Sequence, residues 1–174
     1  MNNSRFSPQR PRSQEPLRHP FSPPANHGLF RPAEALASCS TYEGWNEMFS
    51  HMMVGSNDID RSKKFYDATF AALGAAPAMV DPRGRLIYSH NGGRFLVTKP
   101  IDGQPATHAN GGTIGFLMSG PDQANAWHAA GVANGGTSIE DAPGIRQGAA
   151  GQMYLAYLRD PDGNKLCALH RVPA

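Results

Sequence analysis

Two short apolar runs, residues 50–55 and 112–119, are each followed by a stretch whose apolar residues recur at intervals of three and four. The first pattern predicts strands and the second predicts amphipathic helices lying on a sheet. After the first run, Asp60 opens the helical stretch, and Ser62, Phe65, Tyr66, Thr69, Phe70 and Leu73 form one stripe. After the second run, Asp122 opens it, and Ala124, Trp127, His128 and the alanines beyond do the same. An acid suits the positive end of a helix. Gly74, and then Gly131, Gly135 and Gly136, mark the exits, as helix C-terminal caps require. Three further strands follow each helix, over about 76–80, 85–90 and 94–99 in the first half and 137–140, 153–159 and 164–170 in the second. "NGG" (91–93) and "DPDG" (160–163) supply the hairpin turns, the latter with Asp, Pro and Gly at the positions a type I turn favours.

The halves repeat. Residues 51–74 set over 113–136, at a constant offset of 62, bring apolar on apolar, Asp60 on Asp122, Phe65 on Trp127 and Gly74 on Gly136. Each half reads β-α-β-β-β. The predicted fold class is α+β, with two βαβββ modules (about 48–100 and 112–172) forming a curved mixed sheet around a concave cup, helices on the outer face. A cup of this kind is a ready ligand site.

Residues 1–47 differ in kind. They hold seven of the 15 prolines, among Ser, Asn, Gln and Arg, and predict a disordered extension. No apolar core of a secretory signal follows the arginines, and the prolines with Glu15 do not suit an organellar presequence. The folded domain is expected over 48–174, beginning at "MFSHMMVG", with Met48 a candidate start. From Met48 onward 11 Lys and Arg face 10 Asp and Glu, so no basic face argues for nucleic acid or an anionic membrane. No apolar run reaches the ~20 residues of a membrane span. Two cysteines, Cys39 and Cys167, do not make a disulfide framework, and the expected setting is cytoplasmic.

The stretches "FSHMMVGSNDIDRSKKFYDATFAALG" and "YLAYLRDPDGNKLCALH" together resemble the vicinal oxygen chelate superfamily of glyoxalase I, bleomycin-resistance proteins and extradiol dioxygenases, over essentially 48–172. The resemblance implies the fold more strongly than any one activity. It also implies a metal position on the first strand of each module, usually His, and an acidic one on each last strand. Here these positions hold His51, Thr113, Leu96 or Val97, and Cys167 in place of the usual acid. The resemblance further implies a homodimer.

Side-chain alternation places Cys167, Lys165 and Leu169 on one face of the last strand, toward the cup, and His51 and Met53 inward on the first. Two readings of His51 and Cys167 follow. Imidazole and thiolate suit Zn or a similar divalent ion such as Ni, Mn or Fe, and His108 is the best third donor, with His90 behind it. Alternatively His51 is a hydrogen-bonded pocket residue and Cys167 a small buried hydrophobe. A nucleophilic Cys167 has only Lys165 in its favour. Met53, Leu96, Thr113, Arg146, Tyr157, Lys165 and Leu169 are the candidate ligand contacts. "GIRQGAAGQ" (144–152) reads as a Gly-rich loop, either a lid carrying Arg146 to an anion or an ordinary solvated loop. Trp127 and Phe65 belong to the core, and "GGTSIEDAPG" reads as turns and caps.

Two function classes remain. One is a small-molecule binder with a degenerate metal site and no glyoxalase I activity. The other is a metal-dependent lyase, isomerase or dioxygenase-like enzyme using His51 and Cys167 with a third ligand such as His108.

Overall fold

A computed structural model describes residues 49–149 and 151–173, all within the compact unit Gly44–Ala174. The expectations for 1–47 and for Met48 lie outside the described residues. The elements are β1 (Met52–Gly55), α1 (Ile59–Ala72), β2 (Met79–Val80), β3 (Leu86–His90), β4 (Gly93–Thr98), β5 (Ile114–Leu117), α2 (Pro121–Ala133), β6 (Thr137–Ser138), β7 (Gly144–Gly148), β8 (Gly151–Arg159) and β9 (Lys165–Arg171). The architecture is α+β with two βαβββ modules, as the repeat predicts. Among the described residues no helix is long and apolar enough to cross a membrane.

Module 1 forms a mixed sheet in the order β1-β4-β3-β2, with β1 parallel to β4. Module 2 follows the same path, β5-β9-β8-β6, with β5 parallel to β9. It adds β7, which pairs antiparallel with β8. Most of the expected loop 144–152 is therefore strand, Gly144–Gly148 in β7 and Gly151 and Gln152 in β8. Gly144–Gly148 is a strand, and its backbone bonds to β8 outweigh the weak strand preference of its glycines. No strand pairing joins the two sheets among the described residues, so β1 and β5 are free edges.

Asp58 caps α1 by accepting a hydrogen bond from the Arg61 N–H at 3.0 Å, with Asp60 in the first turn. The α1 exit is a Schellman turn. Gly74, at φ +82, donates to Ala71, and the Ala75 N–H reaches the Phe70 carbonyl. In α2 the left-handed position is Gly135, at φ +99, and Gly136 donates back to Gly131. The offset of 62 thus holds for the first strand and the helix start and becomes 61 at the cap, because α2 is one residue shorter than α1. Gly74 corresponds to Gly135, not to Gly136.

The two helices pack on each other, and the helix-bearing faces of both sheets share one core. Phe95 of β4 and Phe70 of α1 meet Phe116 of β5 at ring distances of 5.6 and 5.3 Å, and Phe116 leans on Trp127 of α2. Each helix therefore covers one face of its sheet, and the opposite, outer face of each sheet, which lies outside this core, carries no helix. Met53, Met79 and Leu117 remain 41%, 63% and 61% exposed on those outer faces.

A polar clamp ties α1 to the hairpin turn of module 2. Asp162 accepts hydrogen bonds from the Asn57 N–H and side chain and from Ser62, and pairs with Arg61 at 2.9 Å. Burial pushes its carboxyl up, but bonds from Asn57, Ser56 and Ser62 outweigh this and hold it below the usual range. A depressed carboxyl adds stability above its unfolded value, near pH 4, and loses it as pH falls through the folded value. Asp162→Asn should therefore cost about 2 kcal/mol at pH 7 and much less below pH 3, as read by urea unfolding at both pH values. An equal cost at both would show that its charge contributes nothing.

Candidate functional site

The outer face of the module 2 sheet is assembled by register. Tyr157 of β8 pairs with Cys167 of β9, which pairs with Gly115 of β5, and Leu155 pairs with Leu169. Alternation sends Leu166 and Ala168 into the shared core, where both are fully buried, and leaves Lys165, Cys167 and Leu169 on the other face. Cys167 therefore faces as the alternation predicts.

Cys167 is 5% exposed, and its thiol donates to the Ala168 carbonyl at 3.5 Å. Burial pushes the thiol above its ordinary value. A hydrogen bond from Tyr157 pulls it down, Glu140 pushes it up, and Lys165 pulls it down without reversing the sign. The group is a neutral thiol near pH 7, which argues against a nucleophile. Burial, followed by the charge of Cys167 and its hydrogen bond, raises the Tyr157 hydroxyl to about 12, so it stays a donor. Lys165 is not free to activate the thiol. Its ammonium lies over the Tyr157 ring, 4.8 Å from the centroid, and is ion-paired with Glu140. Arg146 reaches this group closely enough to stabilise the Tyr157 phenolate form, while its guanidinium bonds the Ala142 carbonyl at 2.8 Å.

The other predicted residues lie elsewhere. Met53 and Leu96 are register partners on the outer face of the module 1 sheet, where Leu96 is buried and Met53 exposed. Thr113 is exposed and precedes β5. His51 is exposed, with Nδ1 3.0 Å from the Ser50 hydroxyl. His108 packs on the far hairpin turn, where a Cβ on Gly163 would fall 2.6 Å from its Nδ1. The path of the 99–113 connection places it there.

Between the free edges lies a cleft of about 360 Å3. His51 and Met52 line it on the module 1 side and Ile114 to Leu117 on the module 2 side, with Phe70, Phe95 and Phe116 as floor and His90, Asn91 and Arg94 at the rim. Gly115 borders both this cleft and Cys167, so His51 and Cys167 sit on opposite sides of β5. A wider open basin of about 810 Å3 on module 1, lined by Met53, Arg83, Lys99 and Ile101 among others, contains no His or Cys.

A divalent metal does not fit the donors that the described residues bring together within one chain. Among the described residues no three His, Cys, Asp or Glu side chains gather to hold an ion, and His51, Cys167 and His108 are not brought together.

Sequence reasoning missed Glu140. It lies between β6 and β7 at φ +59, a left-handed conformation uncommon outside Gly, Asn and Asp, and from there its carboxylate reaches Lys165. Nothing in "SIED" signals this. It also missed Asn91 and Phe116 as cleft residues, and took His90 only as a weaker third donor.

Residues 48–168 match the family described as Glyoxalase/Bleomycin resistance protein/Dioxygenase superfamily. No curated protein matches the chain. Among solved structures, a glyoxalase/bleomycin resistance protein from Albidiferax ferrireducens T118 is 59% identical, with a TM-score of 0.69 over 71% of this chain and 99% of that one. A glyoxalase/bleomycin resistance protein/dioxygenase family enzyme from Burkholderia phytofirmans PsJN is 16% identical, with a TM-score of 0.55 over 71% and 98%. A glyoxalase-related enzyme from Fulvimarina pelagi is 19% identical, with a TM-score of 0.55 over 71% and 88%. The last two share the fold alone.

Proposed function

Because the chain belongs to the Glyoxalase/Bleomycin resistance protein/Dioxygenase superfamily, we propose that it binds a small molecule on the outer face of the module 2 sheet and has no glyoxalase I activity. The observation that carries this reading is geometric: Cys167 is buried in the sheet in register with Tyr157 and flanked on its face by Lys165 and Leu169, and among the described residues it belongs to no cluster of three donors. Around it Leu155, Leu169 and Leu117 offer apolar contact, while Tyr157 and Lys165 offer polar contact, a composition that suits a small aromatic or polar compound. The binder is a homodimer in this reading. The free edges of β1 and β5 and the exposed Met52 and Met53 are surfaces a second copy would cover.

The test uses tag-free protein freed of metal and a thermal-shift screen of small aromatic compounds. A hit should raise the melting midpoint by mass action, and the rise should vanish in Tyr157→Ala. The opposite result is bound Zn, Ni, Mn or Fe near one per chain that disappears in His51→Ala, together with turnover of a hemithioacetal. That outcome would establish the metal-dependent enzyme and end the binder reading.

A further inference from the structure

Lys165 and Glu140 form an ion pair at an odd place. Both are partly open to solvent, with side chains 27% and 43% exposed, so the pair itself adds little to stability. Yet Glu140 holds a left-handed backbone to make it. Strain retained for a weak contact points to a role other than stability.

The surroundings of that carboxylate are those of an anion site. The Lys165 ammonium is fixed over the Tyr157 ring, and Arg146, paired loosely at 3.7 Å with the exposed carboxylate of Asp141, approaches Tyr157 from the neighbouring strand. By alternation Arg159 and Arg171 share this face of the sheet, and the strands contribute no acid to it. The one carboxylate on Lys165 comes from outside the strands, on the β6–β7 connection. Away from Lys165, Cys167 and Leu169 along β9 and Tyr157 and Leu155 along β8 present a less polar surface.

We propose that Glu140 is an internal stand-in for ligand, its carboxylate filling an anion subsite formed by Lys165 and Tyr157 beside Arg146, from which a small aromatic carboxylate displaces it. The inference rests on the reading of this face as the ligand site and names the class of ligand. The incoming carboxylate takes the ammonium, and its ring runs over Tyr157, Leu155 and Leu169. The displaced Glu140 turns to water, where its ion is well solvated. Because Glu140 competes, the wild-type subsite is held in reserve for ligands that fill the apolar surface as well as the charge.

Sodium benzoate and neutral benzamide are suitable probes, titrated into 15N-labelled full-length protein and followed by amide shifts. Benzoate should move residues 140, 157, 165 and 167, with benzamide about tenfold weaker at the same residues. Glu140→Gln should bind benzoate about five- to tenfold more tightly, because the competitor is gone. Glu140→Gly, whose backbone accepts the left-handed angle, should match it and keep the wild-type melting midpoint. Lys165→Met should lose benzoate binding while keeping its dispersed amide spectrum. Equal binding of benzamide and benzoate at these residues would overturn the anion subsite while leaving the face a ligand site. An unchanged benzoate affinity in Glu140→Gln overturns it too. So does the absence of benzoate shifts in both wild type and Glu140→Gln, and an uncharged compound that still binds this face would then leave the wider reading standing.

Discussion

Asp160→Ala should lower stability by about 3–4 kcal/mol, as measured by the urea midpoint at constant m-value. Asp160 is 4% exposed and accepts four hydrogen bonds: from the Tyr66 hydroxyl at 2.6 Å, the Asp162 N–H at 2.9 Å, and the Asn164 N–H and side chain at 2.8 and 2.9 Å. The turn amides lie near the surface and find water when the carboxylate is removed. The Tyr66 hydroxyl does not. Its ring is fully buried beneath α1, and burial, with Asp160 second, pushes its ionisation well above the ordinary value, so it remains a donor with nowhere to donate. An unsatisfied buried hydroxyl and a loosened turn add to one large effect. Tyr66→Phe removes the donor instead of the acceptor and should cost only about 1–2 kcal/mol. The double variant should cost less than the sum, since the two groups serve each other. Additive costs would show that Asp160 acts on the turn alone. Module 1 supplies the tyrosine and module 2 the aspartate, so the larger loss measures how far the modules depend on each other.

The carriers of this clamp were half legible in the sequence. "DPDG" reads as a type I turn because each residue has a local backbone preference, and local preference is what sequence displays. The Tyr66 partner, 94 residues away, has no local signature. The same division runs through the site. Alternation along β9 places Cys167, Lys165 and Leu169 on one face, since a strand has a period of two wherever it lies. Alternation cannot say that the two helices and both sheets share one core, and that arrangement is what leaves the helix-free faces open. It depends on Phe116 fitting against Phe70 and Phe95. Strand β7 was missed because Gly144 and Gly148 read as loop residues, and only pairing with β8 makes them strand. His108 was a reasonable third donor by chain distance, but the fold packs it on Gly163, in the turn that precedes β9. Glu140 was invisible for a further reason. Its interest lies in one backbone angle, which nothing in the residue type encodes.

The glycines at the two helix exits make the sharpest separation between what a repeat displays and what packing demands. Gly136→Val should cost at least about 3 kcal/mol, whereas Gly74→Asn should cost about 1 kcal/mol or less. The ungapped repeat aligns these two positions, but they are glycine for different reasons. Gly74 has open space around it and is held only by φ +82. Asn tolerates that angle better than other side chains. Gly136 lies against the other module, where a Cβ would meet Phe65 Cε2 at 2.5 Å, the Gly131 carbonyl at 2.9 Å and the Arg159 carbonyl at 3.1 Å. Two of those three atoms are backbone and cannot rotate away, and the Phe65 ring is fully buried. Gly131 adds to the constraint, since its own Cβ would meet Phe65 Cε2 at 3.2 Å and Thr69 Cγ2 at 3.3 Å across the α1–α2 seam, which leaves little slack to receive a displaced ring. Gly136→Ala, which carries the smallest side chain that tests the collision, provides a readable midpoint if the valine variant does not fold. The two glycines together decide the point. If Gly136→Ala is no worse than Gly74→Asn in urea, the two modules do not approach as closely at Gly136 as the Phe65 contact requires.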